Sequence, residues 1–302
     1  MQSSSWLQTR TVALGKIRLT RDGWLEKGTM ANREFWRRWV IGEFSVGRVA
    51  TSALLIYAIV CAYAYFFTDG AIFLPQPSSY SDTDEVLKLT SGEGVQISAL
   101  YFPNSEARYT LLYSHGNAED LGDIRPRLLE LRDIGFSVLA YDYRGYGTSE
   151  GTPTERNTYK DIDAAYRYLR ETLEIPGDRI IAYGRSVGGG PAVDLAMREP
   201  LGGLILESTF VSAFRVVTRI AIVPFDKFNN LAKIDRVNCP VLVMHGTADE
   251  VIPFGHGKRL FAAAKEPKRS AWIEGAGHNN LRWIAGDRYA TILTEFREWI
   301  QP

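Results

Sequence analysis

Cysteine is nearly absent from this chain: there are two in 302 residues, Cys61 inside an apolar run and Cys239 beside Pro240. That leaves no disulfide framework and no cysteine metal site to expect. Histidine is scarce as well, with four residues, and the carboxylates do not cluster around them at metal-ligand spacing, so no metal is expected. Charge of one sign is not in excess: Lys plus Arg and Asp plus Glu stand at 35 each, which removes the overall pull toward nucleic acid. Internal repeats and low-complexity tracts are missing. The one glycine run, Gly188-Gly189-Gly190, suits close helix packing better than phosphate binding, so no nucleotide cofactor is expected.

What is present is a normal folding composition, 45% apolar and 23% charged, in a chain long enough for one large domain and a smaller appendage. The appendage is N-terminal. From Val49 to Phe67 the sequence VATSALLIYAIVCAYAYFF carries no charge and is long enough to cross roughly 30 Å of hydrocarbon as a helix. Arg10, Lys16, Arg18, Arg21, Lys27, Arg33, Arg37, Arg38 and Arg48 precede it, and no Lys or Arg follows until Lys88. This asymmetry predicts a single-pass anchor with its N-terminus in the cytoplasm and the rest of the chain across the membrane. Ala62-Tyr63-Ala64 is a passable cleavage site, but the run exceeds the roughly 7 to 15 residues of a signal core, which favours a retained anchor. Met30 begins a second plausible start, so residues 1–29 need not be native. The expected organisation is a basic segment 1–48, an anchor 49–67, a linker 68–85 rich in Pro and Ser, and a catalytic domain 86–302 with a cap insertion at about 208–240.

In the domain, short apolar β-prone runs alternate with amphipathic stretches. Strands are predicted over Val95–Phe102, Thr110–Ser114, Ser137–Tyr141, Arg179–Tyr183, Gly203–Leu206, Val241–Met244 and Ser270–Ile273. Helices are predicted over Asp123–Ile134, Thr158–Thr172, Gly188–Arg198, Gly255–Lys265 and Arg288–Ile300. Strand-helix alternation of this kind predicts an α/β fold, a mostly parallel sheet covered on both faces, with chemistry gathered where strands end.

Gly184-Arg185-Ser186-Val187-Gly188 lies between a predicted strand and a predicted helix. There a tight turn with small residues two positions either side of the serine exposes its hydroxyl, the pattern of a nucleophile elbow. Such a serine needs an imidazole to take its proton. His278, in the loop Gly275-Ala276-Gly277-His278-Asn279 after the last strand, is the candidate base. His115 opens His115-Gly116-Asn117, a loop better suited to supplying an oxyanion donor; His245 ends a strand, and His256, between two glycines at a helix start, is read as a surface or capping residue. Asp249 fits the chain order serine, acid, histidine; Glu207 is its rival in the neighbouring loop, and Asp142 precedes the serine and is read as part of a structural turn. The backbone N–H groups of Asn117 and Val187 are the candidate oxyanion donors.

Together with Ser114–Gly122, Tyr141–Gly147, Asp161–Ala165 and Asp249–Pro253, these segments resemble the α/β-hydrolase-domain proteins that include the Bem46-like group and the protein depalmitoylases. The resemblance runs from about Phe73 to Ile300. It implies an α/β-hydrolase fold, a metal-free serine hydrolase acting on acyl esters or thioesters, and Ser186, Asp249 and His278 as its triad. The depalmitoylases carry a cysteine-rich, lipid-modified N-terminus, whereas this chain has an apolar span with one cysteine, more like the single-pass Bem46-like members. Expected partners are a small-molecule or lipid-like acyl substrate, a protein substrate being possible, and the membrane. Two other readings share the fold: a serine aminopeptidase-like peptidase and a non-catalytic membrane scaffold. In the cap, Phe210, Phe214, Val216, Val217, Ile220, Ile222, Val223, Phe225 and Phe228 form either a helix face on the core or an acyl-binding wall.

Overall fold

The computed structural model describes residues 46–218 and 222–301. The basic segment before residue 46, the Met30 start and Ile220 lie outside the described residues, as does the side chain of Val217. The chain divides into two compact units, Met1–Ile59 and Val60–Pro302.

The apolar run forms helix α1, Val46–Ile72, of 27 residues with no acidic residue in its first turn and no basic residue in its last. It extends past both ends of the predicted span because nothing stops a helix before Pro75, which biases Leu74 away from helical angles. It is long and apolar enough to cross a membrane, and the apolar stretch is not buried. Residues 68–72, expected in the linker, are thus its last turns. Those that follow are not a free tether either: Phe73 is 3% exposed, the Ser79 N–H donates to Asp120 at 2.7 Å, and Tyr80 Oη donates to Asp142 at 2.6 Å.

The second unit is built on one eight-stranded sheet. In chain order its elements are β1 (Leu87–Thr90), β2 (Gln96–Phe102), β3 (Thr110–Ser114), α2 (Leu121–Asp133), β4 (Ser137–Tyr141), α3 (Glu155–Arg167), β5 (Ile180–Arg185), α4 (Gly189–Arg198), β6 (Gly203–Glu207), α5 (Ala213–Thr218), β7 (Val241–Gly246), α6 (Gly255–Ala263), β8 (Lys268–Ile273), α7 (Leu281–Ala285) and α8 (Asp287–Trp299). The spatial order is β1-β2-β4-β3-β5-β6-β7-β8. β1 and β2 are antiparallel to their neighbours, and every other pair is parallel. All seven predicted strands are present. β1 escaped the sequence reading because it is a short edge strand with one buried residue, Leu89.

Strands β3 to β7 are buried along their whole length, as a sheet covered on both faces requires. Alternate residues feed two cores: Leu112, Leu139, Ala182, Leu204 and Val243 face α3 and α4, while Leu111, Val138, Ile181, Ile205 and Leu242 face α2 and α8. Helix starts are set by side chains. Asp120 accepts from the Gly122 and Asp123 N–H groups and starts α2 two residues earlier than predicted. Thr154 does the same for α3, which begins three residues early at Glu155.

Behind the sheet's C-terminal edge, Arg144 anchors the loop after β4. Its Nε donates to Asp161 Oδ1 at 2.9 Å, its backbone N–H to Asp161 Oδ2 at 3.0 Å, and Nη2 to the Gly92 carbonyl at 2.8 Å. Asp161 is wholly buried. Removing one partner of such a pair strands the other charge, at a cost of about 3–5 kcal/mol. Asp161→Ala is therefore expected to lower the thermal midpoint by on the order of 10 °C, read by scanning fluorimetry; an unchanged midpoint would show that the pair does not hold the loop.

Candidate active site

At the C-terminal end of β5 the backbone turns sharply into α4, and Ser186 sits at the turn with φ of 52°. That left-handed conformation is costly for a residue with a Cβ and is characteristic of functional turns. The glycines flanking it are sterically required: a Cβ on Gly184 would lie 2.5 Å from the Gly188 carbonyl oxygen, and one on Gly188 would lie 2.1 Å from the Ser114 carbonyl oxygen. The elbow is thereby pressed against the end of β3. Thr209 Oγ1 donates to the Ser186 carbonyl at 2.7 Å and holds the turn from the β6 side.

The structure brings together the serine, histidine and aspartate singled out in the sequence. His278 Nε2 is 3.1 Å from Ser186 Oγ, and its Nδ1 is 2.9 Å from Asp249 Oδ2. The other Asp249 oxygen accepts from the N–H groups of Val251 at 3.0 Å and Ile252 at 2.7 Å, which fixes the carboxylate plane. Burial alone would raise the Asp249 pKa; hydrogen bonds from the His245 and His278 imidazoles and from the Ile252 N–H outweigh it and hold the carboxyl well below its ordinary range. A permanently ionised acid behind an imidazole, and a hydroxyl in front of it, can move a proton off the serine.

Glu207 does not reach this chain. Its carboxylate is buried among the hydroxyls of Tyr183 and Tyr289, the latter at 3.0 Å, with Arg185 Nε 3.5 Å away. Asp142 accepts from the Leu121 N–H at 3.0 Å and from Tyr80, in keeping with a structural turn. His115 is fully buried, its ring tilted against Tyr143 with centroids 4.3 Å apart and its Nε2 3.3 Å from Asp142 Oδ1. His245 is also buried, with Nε2 2.8 Å from the Ile252 carbonyl and 3.4 Å from Asp249 Oδ2, so it buttresses the acid.

The side chain of Asn117 is occupied away from the serine. Its Oδ1 accepts from the Leu74 N–H at 2.9 Å and the Tyr146 hydroxyl at 2.6 Å, and its Nδ2 donates to the Ile72 carbonyl at 2.7 Å. Among the described residues its backbone N–H has no protein acceptor. Val187 lies in the first turn of the short helical segment Ser186–Gly188, where N–H groups lack intrahelical partners.

His256 corrects the surface reading. It is 8% exposed, its Nδ1 accepts from the Val211 N–H at 3.2 Å, and burial together with the nearby His245 and Arg259 charges lowers its pKa from 6.5 to about 4. The apolar cap residues divide: Phe210 and Phe228 are buried in the core, whereas Phe214, Ile222, Val223 and Phe225 line an apolar cavity.

The sequence reading missed Arg185. Its guanidinium is buried, with Nη1 on Glu119 Oε1 at 2.9 Å and Nη2 on Asn279 Oδ1 at 2.8 Å; Glu119 Oε1 in turn accepts from the Gly116 N–H at 2.7 Å. Burial would raise the Glu119 pKa, but Arg185 and Arg127 overcome it and keep the carboxyl ionised. Among the described residues no group of three or more His, Cys, Asp or Glu is arranged to hold a metal.

An elbow serine, an imidazole and a buried acid at the edge of a parallel sheet define a serine hydrolase of the α/β-hydrolase fold. The comparisons agree. The sequence profile of the serine aminopeptidase S33 family matches residues 105–233. The fold matches a Pyrococcus furiosus esterase with a TM-score of 0.64 at 17% identity, over 76% of this chain and 100% of that one. It also matches an α/β serine hydrolase homologue from Coxiella burnetii with a TM-score of 0.56 at 19% identity, over 72% and 98%. Human α/β hydrolase domain-containing protein 17B is 42% identical over 228 residues, 74% of this chain and 77% of its own length. The Caenorhabditis elegans α/β hydrolase domain-containing protein aho-3 is 42% identical over 66% of this chain and 58% of its own. The chain belongs to the family of α/β hydrolase domain-containing proteins 17.

Two outcomes follow. Arg185→Lys keeps the charge but loses the planar fork that bridges Glu119 and Asn279; kcat is expected to fall at least tenfold with little change in KM, and equal kcat would show that the bridge does not position the site. For His256 the sign is set by a folded pKa below the unfolded one: its contribution to stability is full above pH 6.5 and is lost as pH falls toward 4. Thermal midpoints of wild type and His256→Asn, taken across that range, should converge or cross at the acid end; parallel curves would rule the group out.

Proposed function

We propose that the protein is a membrane-anchored serine hydrolase that cleaves acyl esters or thioesters through an acyl-Ser186 intermediate. The observation that carries this reading is the hydrogen-bonded chain Ser186, His278, Asp249. In the first half-reaction His278 Nε2 accepts the Ser186 proton as Oγ bonds to the acyl carbon, and the carbonyl pair becomes an oxyanion held by the N–H groups of Val187 and Asn117. Collapse breaks the bond to the alcohol or thiol leaving group, which takes its proton from His278. Water then repeats the sequence, His278 taking its proton, and the acid departs from Ser186. Asp249 stays ionised throughout and orients the imidazole.

The anchoring half of the proposal rests on α1 and on the nine Lys and Arg residues among positions 1–48, against none from 49 to 87. In that reading residues 1–48 are cytoplasmic, 49–67 span the bilayer and the hydrolase domain faces the opposite side.

A fluorophosphonate probe tests the chemistry, because Ser186 Oγ displaces fluoride from phosphorus only when its proton is taken. Wild type should label and Ser186→Ala should not. Ser186→Ala and His278→Ala should each lower turnover of acyl p-nitrophenyl esters by about 10³-fold or more. An unlabelled wild type beside a labelled control hydrolase would sink the reading, and preferential turnover of aminoacyl arylamides would replace it with peptide hydrolysis.

A further inference from the structure

His115 is wholly buried just after β3 and takes no part in the triad. Its Nδ1 is 2.7 Å from the Gly116 carbonyl oxygen, which can only accept, so Nδ1 carries a proton. Its Nε2 lies 3.3 Å from Asp142 Oδ1, an ion-pair distance, and has no hydrogen-bond partner among the described residues. A lone pair on Nε2 would face that carboxylate in repulsion, whereas a proton there is attracted to it in a site closed to water. Asp142 has donors on both oxygens, the Leu121 N–H on Oδ1 at 3.0 Å and Tyr80 Oη on Oδ2 at 2.6 Å, which favours the carboxylate and leaves the proton on the ring. The other titratable groups facing His115 are Glu119 of its own loop and the rings of Tyr143 and Tyr146, whose centroids stand 4.3 and 5.4 Å from its own. Burial would lower the His115 pKa, but Asp142, Glu119 and the Gly116 carbonyl outweigh it and raise it.

We propose that His115 is a positioning residue of the hydrolase, an imidazolium that holds the Gly116–Asn117 peptide with the Asn117 N–H turned toward the oxyanion and sets a positive charge behind that donor. The inference rests on the serine-hydrolase reading above and assigns the group that builds its oxyanion site. The Gly116 carbonyl and the Asn117 N–H belong to one trans peptide unit, in which they point opposite ways. Because the carbonyl is drawn onto the imidazole, the N–H is turned away from it. The rest of the loop is held too: the Gly116 N–H donates to Glu119 Oε1 at 2.7 Å, Tyr143 Oη to the His115 carbonyl at 2.7 Å, and the Asn117 side chain is spent on Ile72, Leu74 and Tyr146. The same loop abuts the serine turn, since a Cβ on Gly188 would lie 2.7 Å from the His115 carbonyl oxygen. A donor whose direction is fixed from behind costs no reorganisation when negative charge develops in front of it.

Asparagine and glutamine separate the two ring nitrogens, because the amide nitrogen of Asn falls near the place of Nδ1 and that of Gln near the place of Nε2. In the full chain in detergent, with p-nitrophenyl acetate as substrate, His115→Gln should lower kcat by about 10²-fold with KM within about threefold of wild type, and His115→Asn should keep kcat within about tenfold. Equal losses in the two variants that follow their thermal midpoints would reduce His115 to a structural role, and an unchanged kcat in His115→Gln would leave it none; either result overturns the proposal. The wild type is read directly by nitrogen NMR of protein isotopically labelled at histidine, where, of four histidines, the His115 signals are those missing from His115→Asn. At about pH 7 both of its ring nitrogens should be protonated, and a pyridine-type nitrogen would overturn the imidazolium. Failure of the hydrolase reading is distinct: wild type would neither label with the fluorophosphonate nor turn over the ester, and this inference would fall with it.

Discussion

The guanidinium of Arg185 is the constraint on which the geometry around Ser186 depends. It occupies the variable position immediately before the serine, it is buried, and a buried charge must be paired or it cannot be kept. Its partners come from three segments: Glu119 after β3, Glu207 at the end of β6, and Asn279 next to His278. The same group that terminates the elbow strand therefore sets where the histidine loop and the Gly116 loop can lie. Burial of the whole cluster makes it unforgiving, since a guanidinium that loses one partner in a low-dielectric site has no water to replace it. Glu119 extends the constraint to the backbone, because one carboxylate oxygen holds both Arg185 and the Gly116 N–H.

Against this rigid frame the serine itself is held in an unfavourable backbone conformation. A non-glycine residue in the left-handed region costs on the order of 1–3 kcal/mol, and persists only where its surroundings over-determine it. Here they do: Gly184 abuts the Gly188 backbone and Gly188 abuts the end of β3, with no room for a side chain at either, and Thr209 fixes the Ser186 carbonyl. The acid is treated in the same manner from the far side, with two N–H groups on one oxygen and two imidazoles near the other. Ser186, His278 and Asp249 meet because each sits at a fixed strand end, with Arg185 tying the serine's strand to the histidine loop.

Placement at strand ends explains what could be read from the amino acids alone. Strands buried on both faces are continuous apolar runs, and β3 to β7 are of that kind, so the sheet and the loops at its C-terminal edge were legible. Ser186 and His278 were legible because glycines bracket both. Arg185 was not: a charged residue in the variable position of a motif reads as solvent-facing, and its partners lie 66, 22 and 94 residues away, outside any local pattern. His256 misled for the opposite reason, since flanking glycines suggest exposure while the unmet Val211 N–H that it satisfies belongs to the cap. Phe73 was hidden among prolines and serines that read as a tether, yet it packs edge-on to Tyr143, Tyr146 and Phe228.

Phe73 and its neighbours change how the N-terminal helix should be regarded. A tether would leave the hydrolase unit complete without it. Instead the Ile72 carbonyl and the Leu74 N–H are both hydrogen-bonded to the Asn117 side chain, and Phe73 between them is buried. If those groups were removed, Asn117 would lose two of the partners that orient it, and the loop bearing the proposed oxyanion donor would be held by fewer bonds, among them those of Glu119, Tyr143 and Tyr146. The end of α1 is thus part of what shapes the site. One helix thus carries both the apolar run long enough to cross a membrane and, at its end, the groups that orient the Asn117 loop.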